Sequence, residues 1–156
     1  MPSKVIHLLG CDEGALFSVI DYCDVLSHAL FGEPHTVIRV QNPMKWQPNE
    51  IDGLYFSDHD AGQERLYPVE GKALSTGDAI NLEQMLGAYL TMKARVPRAE
   101  IVPLGIQMIP EGFRIGQMGY TRGDLCLERY VLVNLEPGMP SWSHRGLIAN
   151  QRRAMI

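Results

Sequence analysis

The chain has 156 residues, 46% of them hydrophobic and 21% charged, with a formal charge of -4. That length buries one core but is short for two ordinary domains, and the composition excludes a disordered or fibrous chain. The acidic balance does not resemble a self-sufficient DNA-binding domain, no apolar run reaches the roughly 20 residues that span a bilayer, and no signal-peptide pattern opens the chain, so we expect one soluble, cytoplasmic domain over 1–156 with no membrane association.

Lys4 to Leu9 is a short apolar stretch, a strand or a lead-in. Asp12 is the expected N-cap of a helix running to about Phe31, because Leu16, Val19, Ile20, Cys23, Leu26 and Leu30 recur on one helical face. Gly32 and Pro34 supply the stop. Strands are predicted from His35 to Val40, from Glu50 to Phe56 and from Arg65 to Leu74, the last two forming a hairpin around the polar tip 57–62. Asp78 is the expected cap of a second helix from about Ala79 to Arg95, which Pro97 ends. Strands follow from Glu100 to Ile109, Gly112 to Gly119 and Leu125 to Leu135, and 136–156 reads as a tail or extra helix. The order helix, three strands, helix, strands predicts an α+β (α/β) fold, a mixed sheet flanked by helices. Cys11, Cys23 and Cys126 are odd in number and lack any CxxC spacing, so we expect reduced core thiols rather than disulfides or structural zinc.

Two segments carry the chemistry, Glu50-Ile51-Asp52-Gly53-Leu54-Tyr55-Phe56 and Pro68-Val69-Glu70-Gly71-Lys72-Ala73. On a strand, Glu70 and Lys72 share one face while Val69, Gly71 and Ala73 take the other, and a hairpin brings Asp52 to the same spot. Two carboxylates and a lysine are the groups that phosphodiester hydrolysis needs. The carboxylates hold Mg²⁺, which activates water and neutralises the phosphate, and the lysine stabilises the charge growing in the transition state.

Asp52 followed by Glu70-Gly71-Lys72 on the next strand, and then a helix, resembles the PD-(D/E)XK nuclease superfamily. The wording EIDGLYF and YPVEGKAL is similar to the C-terminal catalytic domain of type II restriction endonucleases, over roughly Glu50 to Leu135. The resemblance implies a restriction-endonuclease-like fold and an Mg²⁺-dependent endonuclease domain acting on DNA, with Mn²⁺ as a substitute metal. Asp52, Glu70 and Lys72 would be catalytic, with Gln84 pointing back at the centre from the second helix or else facing solvent. Asp52 and Glu70 would hold the metal, and Glu50, on the same strand face as Asp52, competes for that role. An acid of the first helix assists the metal in some members, and Glu13, Asp21 and Asp24 are the candidates. The resemblance leaves room for a homodimer or for a separate DNA-recognition domain or subunit. The alternative is a catalytically inactive nuclease-like fold serving as a nucleic-acid or protein binding and assembly module.

His59 reads as a solvated turn residue, and His7, His28, His35 and His144 lack metal-ligand spacing. Arg114, Arg122 and Arg129, with Lys93, Arg95 and Arg98, offer a phosphate-contacting surface, although each alone reads more readily as a solvated position. Trp142, Arg145, Arg152 and Arg153 in the tail have no diagnostic spacing.

Overall fold

The computed structural model describes residues 12–41, 44–46, 49–59, 62–73, 79–109, 112–135 and 147–152. The Lys4 to Leu9 stretch, Cys11, Asp78, Trp142, His144, Arg145 and Arg153 lie outside them. No helix among the described residues is long and apolar enough to cross a membrane.

The expected first helix is two helices, α1 (Glu13–Tyr22) and α2 (Val25–Leu30). Asp12 caps α1 as expected, its Oδ1 accepting from the Ala15 N–H at 2.8 Å. The break follows from Asp24, which takes a left-handed conformation at φ 50°. Its carboxylate accepts from the Ser27 hydroxyl and from the His35 N–H, so the corner is tied to the chain that enters the sheet. Arg129 donates to the carbonyls of Ala29 and Leu30, both at 3.1 Å, and so satisfies the end of α2.

Ten strands follow among the described residues: β1 (Ile38–Gln41), β2 (Met44–Trp46), β3 (Asn49–Ile51), β4 (Gly53–Ser57), β5 (Arg65–Lys72), β6 (Glu100–Ile101), β7 (Leu104–Ile109), β8 (Gly112–Thr121), β9 (Asp124–Leu135) and β10 (Leu147–Arg152), with α3 (Leu82–Arg95) between β5 and β6. The main sheet runs β1-β4-β5-β7-β8-β9-β10, with β6 also on β5. Among the described residues, only the β5 pairings with β6 and β7 are parallel, and α3 is the crossover that parallel neighbours require. The protein is therefore α+β, with a mostly antiparallel sheet.

Four further expectations are corrected. The strand placed over Glu50 to Phe56 bends at Asp52, so that β3 pairs with β2 in a small separate sheet and β4 joins the main one. The second helix starts at Leu82, with Asn81 as its cap accepting from the Gln84 N–H, because a side chain three residues upstream is what that first turn lacks. Part of the expected tail, Leu147–Arg152, is a strand on β9. Cys126 is exposed, whereas Cys23 is buried and its thiol is pushed up to about 11 by that burial.

Among the described residues, core clusters lie on both faces of the sheet. One packs Leu16, Phe17 and Ile20 of α1 and residues of α2 onto Val69, Leu104 and Ile106. On the opposite face, another packs Ala88 and Met92 of α3 against Ile51, Leu54 and Ile101. Alternation along β5 thus sends Val69 and Gly71 toward α1, and Pro68, Glu70 and Lys72 toward α3.

Candidate active site

The last pair between β4 and β5 is Gly53 with Val69, yet β5 runs on to Lys72, held on its other flank by β7. Three residues of β5 thus extend past the end of β4. The chain turns away at Asp52, whose side chain takes the place of the missing strand: its Oδ2 accepts from the Gly71 N–H at 2.9 Å. Asn49 holds the turn by donating from Nδ2 to Gly87 O at 3.2 Å and to Thr91 Oγ1 at 2.8 Å, both on α3.

Glycine in the middle of the tripeptide has a packing cause. A Cβ at Gly71 would fall 2.6 Å from Leu16 Cδ2 and 3.1 Å from Phe17 Cζ, and one at Gly53 would fall 2.9 Å from Phe17 Cε1. Both positions let α1 lie directly against the sheet behind the notch. That approach brings the start of α1 near enough for the Glu13 carboxylate to act on Lys72.

Glu70 is only 4% exposed. Lys72 Nζ stands 2.9 Å from its Oε1, and no other donor reaches that buried oxygen among the described residues. Burial pushes the Glu70 carboxyl up to about 7; the Lys72 ammonium opposes the shift, and the adjoining Asp52 carboxylate adds to it. Lys72 is held above its ordinary value, first by Glu70 and then by Asp52 and Glu13, against its own partial burial. When both Asp52 and Glu70 are ionised, two carboxylates share one ammonium in a largely buried notch. Low dielectric makes that excess negative charge costly unless a proton or a cation joins it.

The sequence-predicted residues divide accordingly. Asp52, Glu70 and Lys72 are brought together. Gln84, in the first turn of α3, and the exposed Glu50 line a small recess with Glu70, Pro68 and Met85, of about 10 Å³, room for about one water. Of the first-helix acids, Asp21 accepts from Tyr55 Oη and from Arg39 Nη1, both at 2.6 Å, and Asp24 is bound into its corner; Glu13 is the one that acts on Lys72. His59 Nε2 is 3.6 Å from Glu33 Oε2, with its ring edge-on to Phe31. Of the basic residues, Arg129 serves the end of α2 and Lys93 donates to Ala99 O at 3.1 Å. Asn49 and Gly71 were not singled out from the sequence. A glycine in the middle of an otherwise good helix, Gly87, was the available signal for Asn49, because such a residue often marks a close approach.

The described residues contain no group of three or more His, Cys, Asp or Glu side chains placed to hold a metal. Two carboxylates still fit Mg²⁺, which keeps several waters and is commonly held by one or two carboxylates together with substrate phosphate. Glu70 and Asp52 together carry one negative charge more than Lys72 neutralises, and that excess is what such an ion would meet. Compared with known proteins, the chain matches no family model, no curated protein and no solved structure.

Proposed function

We propose that the chain is an Mg²⁺-dependent endonuclease domain that hydrolyses DNA phosphodiester bonds, built on a restriction-endonuclease-like fold of the PD-(D/E)XK type. The observation that carries this reading is the convergence of Asp52, Glu70 and Lys72 in the notch beyond the end of β4, with Glu70 buried beside a second carboxylate. Structural ion pairs seldom place two acids and one base where a protein must exclude water from them. The fold supports it further: α1 and α2, three antiparallel strands in the main sheet, a crossover helix, and then strands, with the acid and the tripeptide at the ends of adjacent strands.

Asp52 and Glu70 would hold the ion, which would share the Glu70 carboxylate with the Lys72 ammonium. Bound there, Mg²⁺ supplies Lewis acidity toward the phosphate and lowers the pKa of the attacking water. The chain's own residues do the rest. Lys72 remains charged and is less buried than Glu70, and its ammonium can leave the carboxylate and follow the negative charge developing on the phosphate oxygens. Packing by Leu16 and Phe17 behind Gly71 fixes the strand and so fixes both side chains that flank it. Gln84 bounds the recess beside Glu70 and can orient a water within it.

Nicking of supercoiled plasmid tests the proposal. The purified chain should relax plasmid in Mg²⁺ or Mn²⁺, not in EDTA, and Glu70→Gln should abolish the activity while remaining folded. A folded wild-type chain that leaves plasmid intact in both metals, at high protein concentration, would refute the endonuclease reading in favour of the inactive binding module.

A further inference from the structure

Cross-strand register extends the notch sideways. Lys72 pairs with Gln107 on β7, and Gln107 pairs with Arg114 on β8. Residues opposite one another on neighbouring strands share a face. The face is fixed by the adjoining row, in which Glu70 pairs with Gly105 and Gly105 with Gly116. A Cβ on Gly105 would lie 3.1 Å from Ile80 Cγ2, and Ile80 belongs to the cluster packed with Met85 of α3. Two residues along each strand, Gln107 and Arg114 therefore also lie on the α3 side. Ile106, Phe113 and Ile115 point the other way, into the α1 core.

Gln107 is half-buried and Arg114 is exposed. Other arginines are committed elsewhere: Arg39 to Asp21, Arg65 to Glu100 and Arg129 to the end of α2. Arg114 makes no hydrogen bond or ion pair with a described residue. Two strand spacings, about 10 Å, separate its backbone from that of Lys72. Two long side chains at that separation can reach neighbouring phosphates of one nucleic-acid strand. A guanidinium is suited to that task, because its fork donates two parallel hydrogen bonds to phosphate oxygens.

We propose that Arg114, with the Gln107 amide beside it, grips a backbone phosphate next to the one attacked at Lys72, so that the substrate strand crosses β5, β7 and β8 along this row. The inference rests on the nuclease reading and adds the direction in which the strand lies. It also accounts for how an acidic domain can hold a polyanion: the cation is placed locally, in line with the reacting centre.

Fluorescence anisotropy of a labelled DNA duplex, with Ca²⁺ replacing Mg²⁺ to suppress cleavage, tests it as a function of salt. Arg114→Ala should bind about tenfold more weakly and lower the slope of log affinity against log salt by about one. Arg114→Lys should restore the slope but only part of the affinity, and Gln107→Ala should weaken binding less than Arg114→Ala. Arg122→Ala, at the far hairpin between β8 and β9, should match wild type. In Mg²⁺, single-turnover cleavage by Arg114→Ala should need more protein for half-saturation while its maximal rate changes little. If wild type cleaves and Arg114→Ala keeps wild-type affinity and salt slope, the phosphate contact is refuted and the nuclease reading stands. If folded wild type neither binds nor cleaves, both fail together.

Discussion

Asp52 and Gly71 are joined by a hydrogen bond of 2.9 Å from the Gly71 N–H to Asp52 Oδ2, at the point where β4 stops and β5 continues. One carboxylate thereby does two things: it satisfies a strand N–H that has lost its neighbour, and it stands against the buried Glu70. Asn at position 52 would keep an acceptor for Gly71 but remove the charge. Asp52→Asn should therefore melt near the wild-type temperature while binding Mn²⁺ at least tenfold more weakly by calorimetric titration. Equal binding by the two proteins would remove Asp52 from the site.

Gly71→Ala tests the contact behind the notch. The added methyl would have to displace Leu16 and Phe17, both nearly fully buried, and overpacking of this kind costs about 1–3 kcal/mol. A fall in melting temperature of several degrees is expected, with weaker Mn²⁺ binding, because the strand that carries Glu70 and Lys72 must shift. An unchanged melt would show that α1 does not press on the tripeptide.

Much of the site was legible in the sequence because strand alternation is a strict rule. Glu70 and Lys72 had to share a face, and the apolar residues around them marked a strand close to a core. Breaks were harder to read. Asp52 before Gly53 can also be read as a strand-end carboxylate at a turn, but Ile51 and Leu54 each suit a continuous strand, and the bend between two sheets arises from β3 pairing with β2 and docking on α3 through Asn49. The left-handed Asp24 within an amphipathic run likewise depends on Ser27 and His35, which are brought to it by the tertiary fold. Arg129 looked like a solvated arginine until the register of β9 put it under the end of α2.

The raised Glu70 pKa sets a pH dependence whose sign is definite. In the unfolded chain this carboxyl titrates near its ordinary 4.5, but in the fold it keeps its proton up to about 7. The native state binds the proton more tightly, so this contribution to stability is complete below about pH 4.5 and is lost as pH rises through about 7. The metal-free chain should lose on the order of 1–3 kcal/mol from this group between pH 5 and pH 8. Mg²⁺ favours the ionised carboxylate, so its stabilising shift in melting temperature should be small at pH 5 and grow toward pH 8. Glu70→Gln should abolish both the Mg²⁺ shift and this part of the pH dependence. A Mg²⁺ shift of equal size at both pH values would show that Glu70 is not where the ion binds.

The rate of DNA cleavage by Lys72→Ala tests the catalytic centre most directly, because it separates a working nuclease from a nuclease-like scaffold. Without Lys72, Glu70 can still take a proton or a cation, so the variant should fold and should retain Mn²⁺ binding. What it loses is the ammonium beside the reacting phosphate. Single-turnover cleavage in Mg²⁺ should fall by about 10² or more, with half-saturation nearly unchanged. A Lys72→Ala chain that cuts DNA as fast as wild type would contradict the assignment of Asp52, Glu70 and Lys72 as the catalytic centre.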